Sequence, residues 1–274
     1  MHENLASLQE ALGNRYRLLR ELGSGGMAAV YLAEDTERGE RVAVKVLRRE
    51  LTAILGTTRF HREIEILSGL QHPNIVPVLD SRQAGTRLYY VMPFIPGDSV
   101  RARLERQGPF PVEDVIRIAK DIGEAIDYAH EHGVLHRDIK PENVLFDGPR
   151  ALVCDFGVAR AIEAAGGEFS SSSGLVVGTP TYMSPEQATG GEVDQRSDVY
   201  SLGCVIYEML AGEPPFAGPT AQAVLARKLS EPPRDLRTVR QDVSAAMERA
   251  VLLAMEKDPA RRPESASTLV GMLT

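Results

Sequence analysis

The sequence contains no tryptophan, 5% aromatic residues and two cysteines among 274 residues. Cys154 and Cys204 each sit in an apolar run and build no disulfide framework. That excludes a small cross-linked secreted scaffold and fits a reducing compartment. Basic charge is not in excess either. Lys and Arg number 31 against 38 Asp and Glu, for a net charge of −7, so no nucleic-acid partner is expected. Long hydrophobic runs are also missing. The longest, residues 199–210, is too short for a bilayer and carries Glu208. The opening Met1-His2-Glu3-Asn4 lacks the basic and apolar regions of a secretion signal. These absences give the expectation of a soluble, cytoplasmic protein with no membrane segment.

What is present is 43% hydrophobic and 25% charged residues, over a length that can bury one large core or two lobes. Leu5, Leu8 and Leu12 recur at helical spacing, with Gly13 placed to stop a short helix, docked or frayed. Residues 15–46 read as three strands, with Gly23-Ser24-Gly25-Gly26-Met27-Ala28 between the first two. Glycines let backbone approach a ligand and offer N–H groups to phosphate. A plain hairpin turn is the other reading. A dinucleotide-binding turn would need a helix after the glycines, and here a strand follows.

Residues 42–47 alternate in strand fashion, so Lys45 shares a face with Ala43 and Leu47. A solvated edge lysine is one reading of it. Residues 59–70 have helical periodicity, with Glu63 on the apolar stripe of Phe60, Ile64 and Leu67. A carboxylate there needs a partner. Residues 75–79 and 88–92 read as further strands separated by 80–87, and Pro93-Phe94-Ile95-Pro96-Gly97 reads as a connector between lobes. Beyond it the chain is mainly helical, with helices expected over 112–132, 199–210, 221–229, 245–255 and 266–272. Asp198 reads as a cap of the apolar helix.

The chemistry concentrates in His136-Arg137-Asp138-Ile139-Lys140-Pro141-Glu142-Asn143 and in Asp155-Phe156-Gly157, with short apolar runs (Val134-Leu135, Val144-Leu145-Phe146, Ala151-Leu152-Val153) read as buried strands around them. Two carboxylates and an amide on such loops could hold divalent cations, or one carboxylate could orient a nucleophile. Residues 157–186 have little periodicity and include Gly166-Gly167 and Ser170-Ser171-Ser172-Ser173-Gly174, a flexible linker on composition alone.

As an ordered set over about 16–273, these stretches resemble the bacterial branch of the eukaryotic-type serine/threonine protein kinases. The resemblance implies an α+β, bilobal protein-kinase fold: a small antiparallel β-rich N-lobe with one main helix and a larger, mainly helical C-lobe. It divides the chain into an N-terminal extension (1–14) and a kinase domain (15–273), with N-lobe 15–92, hinge 93–97 and C-lobe 98–273. It implies transfer of the ATP γ-phosphoryl group to Ser/Thr hydroxyls of protein substrates. Asp138 would orient the hydroxyl and take its proton, and Lys140 would neutralise the transferring group. Asn143 and Asp155 would hold Mg2+, with Mn2+ as the alternative ion, and Lys45 would pair with Glu63 and grip the phosphates.

ATP contacts implied in the same way are Leu22, Gly23, Ser24, Gly25, Gly26, Met27, Ala28, Val30, Ala43, Met92, Pro93, Ile95 and Leu145. Ala28 stands where the family pattern has a third glycine, and Pro93 where many relatives are acidic. Cys154 would line the nucleotide pocket. Asp198 would anchor the catalytic loop, and Glu186 of Ser184-Pro185-Glu186 would pair with Arg262. Arg137 would meet a phosphate on the activation segment, with Ser171 and Ser173 as autophosphorylation sites, and Thr179 would contact Asp138 and Lys140. A homodimer through the N-lobe is a further expectation. Two alternatives stand beside this reading: an inactive kinase-fold scaffold and a small-molecule kinase of similar fold.

Overall fold

A computed structural model of the chain describes residues 5–26, 28–49, 51–52, 57–156 and 180–274, apart from the side chains of 5–7, 59 and 63. Met27, Gly157, Ser171, Ser173, Thr179 and the Glu63 side chain lie outside the described residues. The described residues form two compact units, 5–71 with 76–95, and 72–75 with 96–156 and 180–274.

The first unit is built on an antiparallel sheet of order β1-β2-β3-β5-β4. Its strands are β1 (Tyr16–Ser24), β2 (Ala28–Asp35), β3 (Glu40–Leu47), β4 (Asp80–Ala84) and β5 (Arg87–Pro93). The alternating apolar residues of β2, β3 and β5 close one core. Val44 and Val91, paired across β3 and β5, are fully buried. Helix α1 (Leu5–Leu12) packs on β1 and β4, sinking Leu8 and Leu12 into the cluster of Tyr16, Ala84 and Tyr89. The expected terminal helix is therefore docked. Gln9 secures it, accepting the Leu18 amide at 2.7 Å and donating to the carbonyls of Gly13 and Tyr16. Helix α2 (Thr57–Ser68) buries Phe60, Ile64 and Leu67, the expected stripe.

One strand was misplaced by the sequence. Residues 75–79 form no strand; Ile75 makes one isolated bridge, to Val153, and β4 begins at Asp80. Pro77 has no N–H to give a ladder, and pairing with β5 starts where the Leu79 amide reaches the Val91 carbonyl at 2.7 Å. β4 lies at the sheet edge, so its sequence, Asp80-Ser81-Arg82-Gln83-Ala84, is polar and looks like a turn.

The second unit carries helices α3 (Val100–Gln107), α4 (Val112–Glu131), α5 (Pro185–Thr189), α6 (Gln195–Ala211), α7 (Ala221–Ser230), α8 (Leu236–Val239), α9 (Ala245–Ala254) and α10 (Ala266–Gly271). A two-stranded ribbon, β6 (Val144–Asp147) with β7 (Arg150–Val153), completes it. Val134-Leu135, expected as strand, is irregular. Helix α6 is buried on every side from Ser197 to Leu210 and serves as the central post. Gly203 lets α9 approach it, since a Cβ there would meet Ala254 Cβ at 2.9 Å. At the start of the unit, a Cβ on Gly97 would lie 1.9 Å from the Phe146 carbonyl oxygen, so only glycine fits where the chain crosses β6.

Candidate active site

The stretch between α4 and β6 is held by main-chain donors and a few buried side chains. Asp198, in the first turn of α6, accepts the amides of His136 (2.8 Å) and Arg137 (2.7 Å) and also meets His130 Nε2 (2.8 Å). It is not the helix cap. Asp194 fills that place, accepting the Arg196 amide. Burial pushes the Asp198 carboxyl up, but His130, His136 and the Arg137 amide outweigh it, so the acid sits below its ordinary pKa.

His136 is fully buried and packs on Phe156. Its Nδ1 accepts the Asp138 amide at 3.2 Å, so the proton resides on Nε2, which donates to the Cys154 carbonyl at 2.9 Å. Burial lowers its pKa, in keeping with this neutral form. Arg137 and Asp155 adopt φ of 67° and 68°. This left-handed backbone costs L-residues on the order of 1 kcal/mol each. Asp198 holds the first of them in place.

Asp138 Oδ2 pairs with Lys140 Nζ at 2.5 Å and accepts Asn143 Nδ2 at 3.2 Å. Asn143 Nδ2 also donates to the Asp138 carbonyl at 2.8 Å, which fixes the amide and leaves Oδ1 as the oxygen that could hold a cation. Asn143 ends the 3₁₀ turn Pro141–Asn143, and its own carbonyl accepts the Cys154 amide at 2.9 Å, bringing Asp155 beside it. Asp138, Lys140, Asn143 and Asp155 are thus assembled in one unit, with Leu145 following on β6.

In the first unit, Gly23 and Ser24 end β1, paired with Val30 and Ala29 of β2, and Gly25 and Gly26 follow in an exposed turn closed by a Gly25 N–Ala28 O bond of 2.9 Å. Arg48 Nε reaches the Gly25 carbonyl at 2.9 Å. Among the described residues, a Cβ on Gly23, Gly25 or Gly26 would meet nothing within 4 Å, and none of the three has positive φ. Packing against the described residues does not demand glycine there. Ala28 is buried and Leu22 exposed. Lys45, opposite Val30 on β2 and Tyr90 on β5, lays its Nζ 5.9 Å from the Tyr90 ring. Ala43 pairs with Met92 and Val42 with Pro93, so these expected nucleotide contacts share the β3–β5 ladder, with Ile95 just beyond it.

The family description "Protein kinase domain" matches residues 16–271. The chain belongs to the protein kinase family. Among curated proteins, the serine/threonine-protein kinase pkn2 of Myxococcus xanthus is 39% identical over 269 residues, 96% of this chain and 32% of that protein. Serine/threonine-protein kinase PknB of Mycobacterium leprae is 40% identical over 264 residues, 94% of this chain and 42% of its own length. The DNA damage-responsive serine/threonine-protein kinase RqkA of Deinococcus radiodurans is 40% identical over 268 residues, 95% of this chain and 39% of that protein. The chain therefore spans between about a third and two-fifths of the length of these relatives. As a family, protein kinases use ATP and a divalent metal.

Within this kinase-family chain the ion pair expected between Glu186 and Arg262 is present, bidentate at 2.7 Å and 2.7 Å. Burial raises the Glu186 carboxyl, but Arg262 and Ser197 outweigh it and leave it below the ordinary range. Other ties had gone unnoticed in the sequence. Gln187 Nε2 donates to the Arg137 carbonyl at 3.0 Å from α5, which Ser184 and Gln187 start with a reciprocal capping box. The Ser-x-x-Gln spacing was a readable signal. Arg101 of α3 joins Glu142 (2.9 Å), Glu208 (2.8 Å) and the Tyr182 hydroxyl, and nothing local in sequence announces that convergence.

Proposed function

We propose that this chain is the catalytic domain of a serine/threonine protein kinase, with domain limits near 15–273, moving the γ-phosphoryl group of ATP to protein hydroxyls. The observation that carries this reading is the Asp138–Lys140–Asn143 cluster. Asp138 Oδ2 is engaged by Lys140 and Asn143, and among the described residues nothing donates to Oδ1. Oδ1 is then the atom to receive the substrate hydroxyl proton as that oxygen bonds to γ-phosphorus and the bond to the β-phosphate oxygen breaks, releasing ADP. Lys140 offsets the charge on the transferred group. Lys45 is assigned the α- and β-phosphates with Glu63 as its partner, and Gly23, Gly25, Gly26 and Ala28 the phosphate cover.

Asn143 Oδ1 and the Asp155 carboxylate, both hard oxygen donors, would hold Mg2+, with Mn2+ as the alternative. That ion supplies charge neutralisation at the phosphate oxygens. Autophosphorylation at Ser171 and Ser173, answered by Arg137, and an N-lobe homodimer belong to the same reading. So does a cytoplasmic setting free of nucleic acid, the latter supported by the net charge of −7; among the described residues no helix is long and apolar enough to cross a membrane.

Intact-mass measurement before and after magnesium-ATP tests the proposal, with Asp138→Asn alongside. Stepwise phosphate gains in the wild type should fall by about 10³-fold in rate in the variant. An unmodified wild type that still binds ATP would turn the reading towards the scaffold.

A further inference from the structure

Lys228 lies on α7 and is fully buried, an uncommon place for a lysine. Its hydrogen bonds go not to a carboxylate but to main-chain carbonyls, Thr181 O at 2.9 Å and Met183 O. The carbonyl between them, Tyr182 O, accepts Ser201 Oγ of α6 at 2.9 Å. Three consecutive carbonyls are thus each satisfied by a side chain from a distant helix. The Tyr182 side chain is secured as well, its hydroxyl donating to Glu208 and accepting from Arg101. Arg101 in turn holds Glu142, four residues after Asp138 and inside the 3₁₀ turn that ends in Asn143. Residues 181–183 are therefore an over-determined rail joined to the catalytic stretch through one guanidinium.

We propose that Lys228 is a positioning residue for the incoming substrate polypeptide, fixing the 181–183 rail that Arg101 and Gln187 tie to the stretch carrying Asp138. The inference rests on the kinase reading above. The groups around Nζ fit a role in holding backbone. The rings of Tyr200 and Phe216 lie 5.1 Å and 6.0 Å away, and Cys204, Glu186 and Arg262 are the other ionisable groups that act on it. Burial lowers the Lys228 pKa to about 8. Losing a proton still leaves two N–H groups, one for each carbonyl, so the rail survives in either protonation state. A serine or threonine at 228 could not span to both carbonyls.

The test compares full-length wild type, Lys228→Met and the milder Ser201→Ala, which frees the Tyr182 carbonyl without emptying the Lys228 site. The probe is a degenerate peptide library with a central serine or threonine. Lys228→Met should raise KM for peptide roughly tenfold or more while KM for ATP moves less than twofold, and Ser201→Ala should give the same split, smaller. Amide exchange over residues 181–188 should quicken in both variants, ahead of any change elsewhere. Equal losses for peptide and ATP, or an unchanged peptide KM in a folded variant, would overturn the role of Lys228. If Lys228→Met fails to fold, the Ser201→Ala split decides. A wild type silent towards the library while binding ATP would instead sink the kinase reading, and the substrate role with it.

Discussion

The glycine turn of the first unit and the stretch from His136 to Asn143 in the second are both irregular backbone at strand ends, and they are built in opposite ways. Residues 21–26 are exposed along their whole length, and the turn is drawn together by the Gly25–Ala28 bond and by Arg48. The stretch from His136 to Asn143 is gripped from three sides, by Asp198 of α6, by Gln187 of α5 and by its own His136 and Asn143. It tolerates a left-handed arginine because the surrounding bonds over-determine it. The contrast suits the proposed roles: a group that takes up a proton needs a fixed address, whereas a cover over a flexible polyphosphate needs give.

Asp198→Asn should break the contrast most severely. The amide would keep one acceptor for two buried N–H groups and His130, with an expected loss of about 3–5 kcal/mol in urea unfolding. The same carboxyl gives an acid signature. Its folded pKa lies below the ordinary one, so its contribution is complete above the usual carboxylate range and is lost as pH falls through the folded value. Wild type should thus lose stability on acidification more steeply than the variant.

Lys228→Met sharpens the comparison from the alkaline side. Because the folded pKa of about 8 lies below the ordinary 10.5, the unfolded chain binds the extra proton between those values. Wild-type stability should then rise relative to the variant from pH 8 to 10.5, by on the order of a few kcal/mol. A difference flat with pH would mean that the site is wetter than its burial implies.

Gly25→Ala should do least to the fold. Among the described residues the added Cβ meets nothing within 4 Å, and the backbone needs no positive φ, so stability should hold or gain by about 0.5 kcal/mol. KM for ATP should nevertheless rise several-fold. An unchanged KM would return the turn to an ordinary hairpin.

Much of this was legible in order along the chain. The alternation in β3, the stripe of α2 and the continuous apolar run of α6 each report burial directly. What escaped was set by partners far away in sequence. β4 is polar because only one of its edges is paired. Ile75 and Val76 are apolar because they are buried, although Pro77, next in the run, denies it a ladder. Asp198 looked like a cap because caps and first-turn acids share residue types, and only its bonds to residues 61 and 62 positions earlier separate the two. Lys228 and Arg101 are ordinary surface-helix residues by local pattern. Their burial depends on carbonyls and carboxylates from other elements that no local window contains.

Asp198 holds the 136–137 backbone by main-chain N–H groups, which every non-proline residue supplies. The grip is therefore indifferent to which side chains stand at 136 and 137. Residue 137 could be rebuilt, for example as asparagine or glycine, both at ease with its left-handed φ, without letting go of the backbone that aims Asp138. On the proposed reading, a phosphate-answering side chain at 137 and a proton-accepting one at 138 can be edited separately, although they are neighbours in the chain.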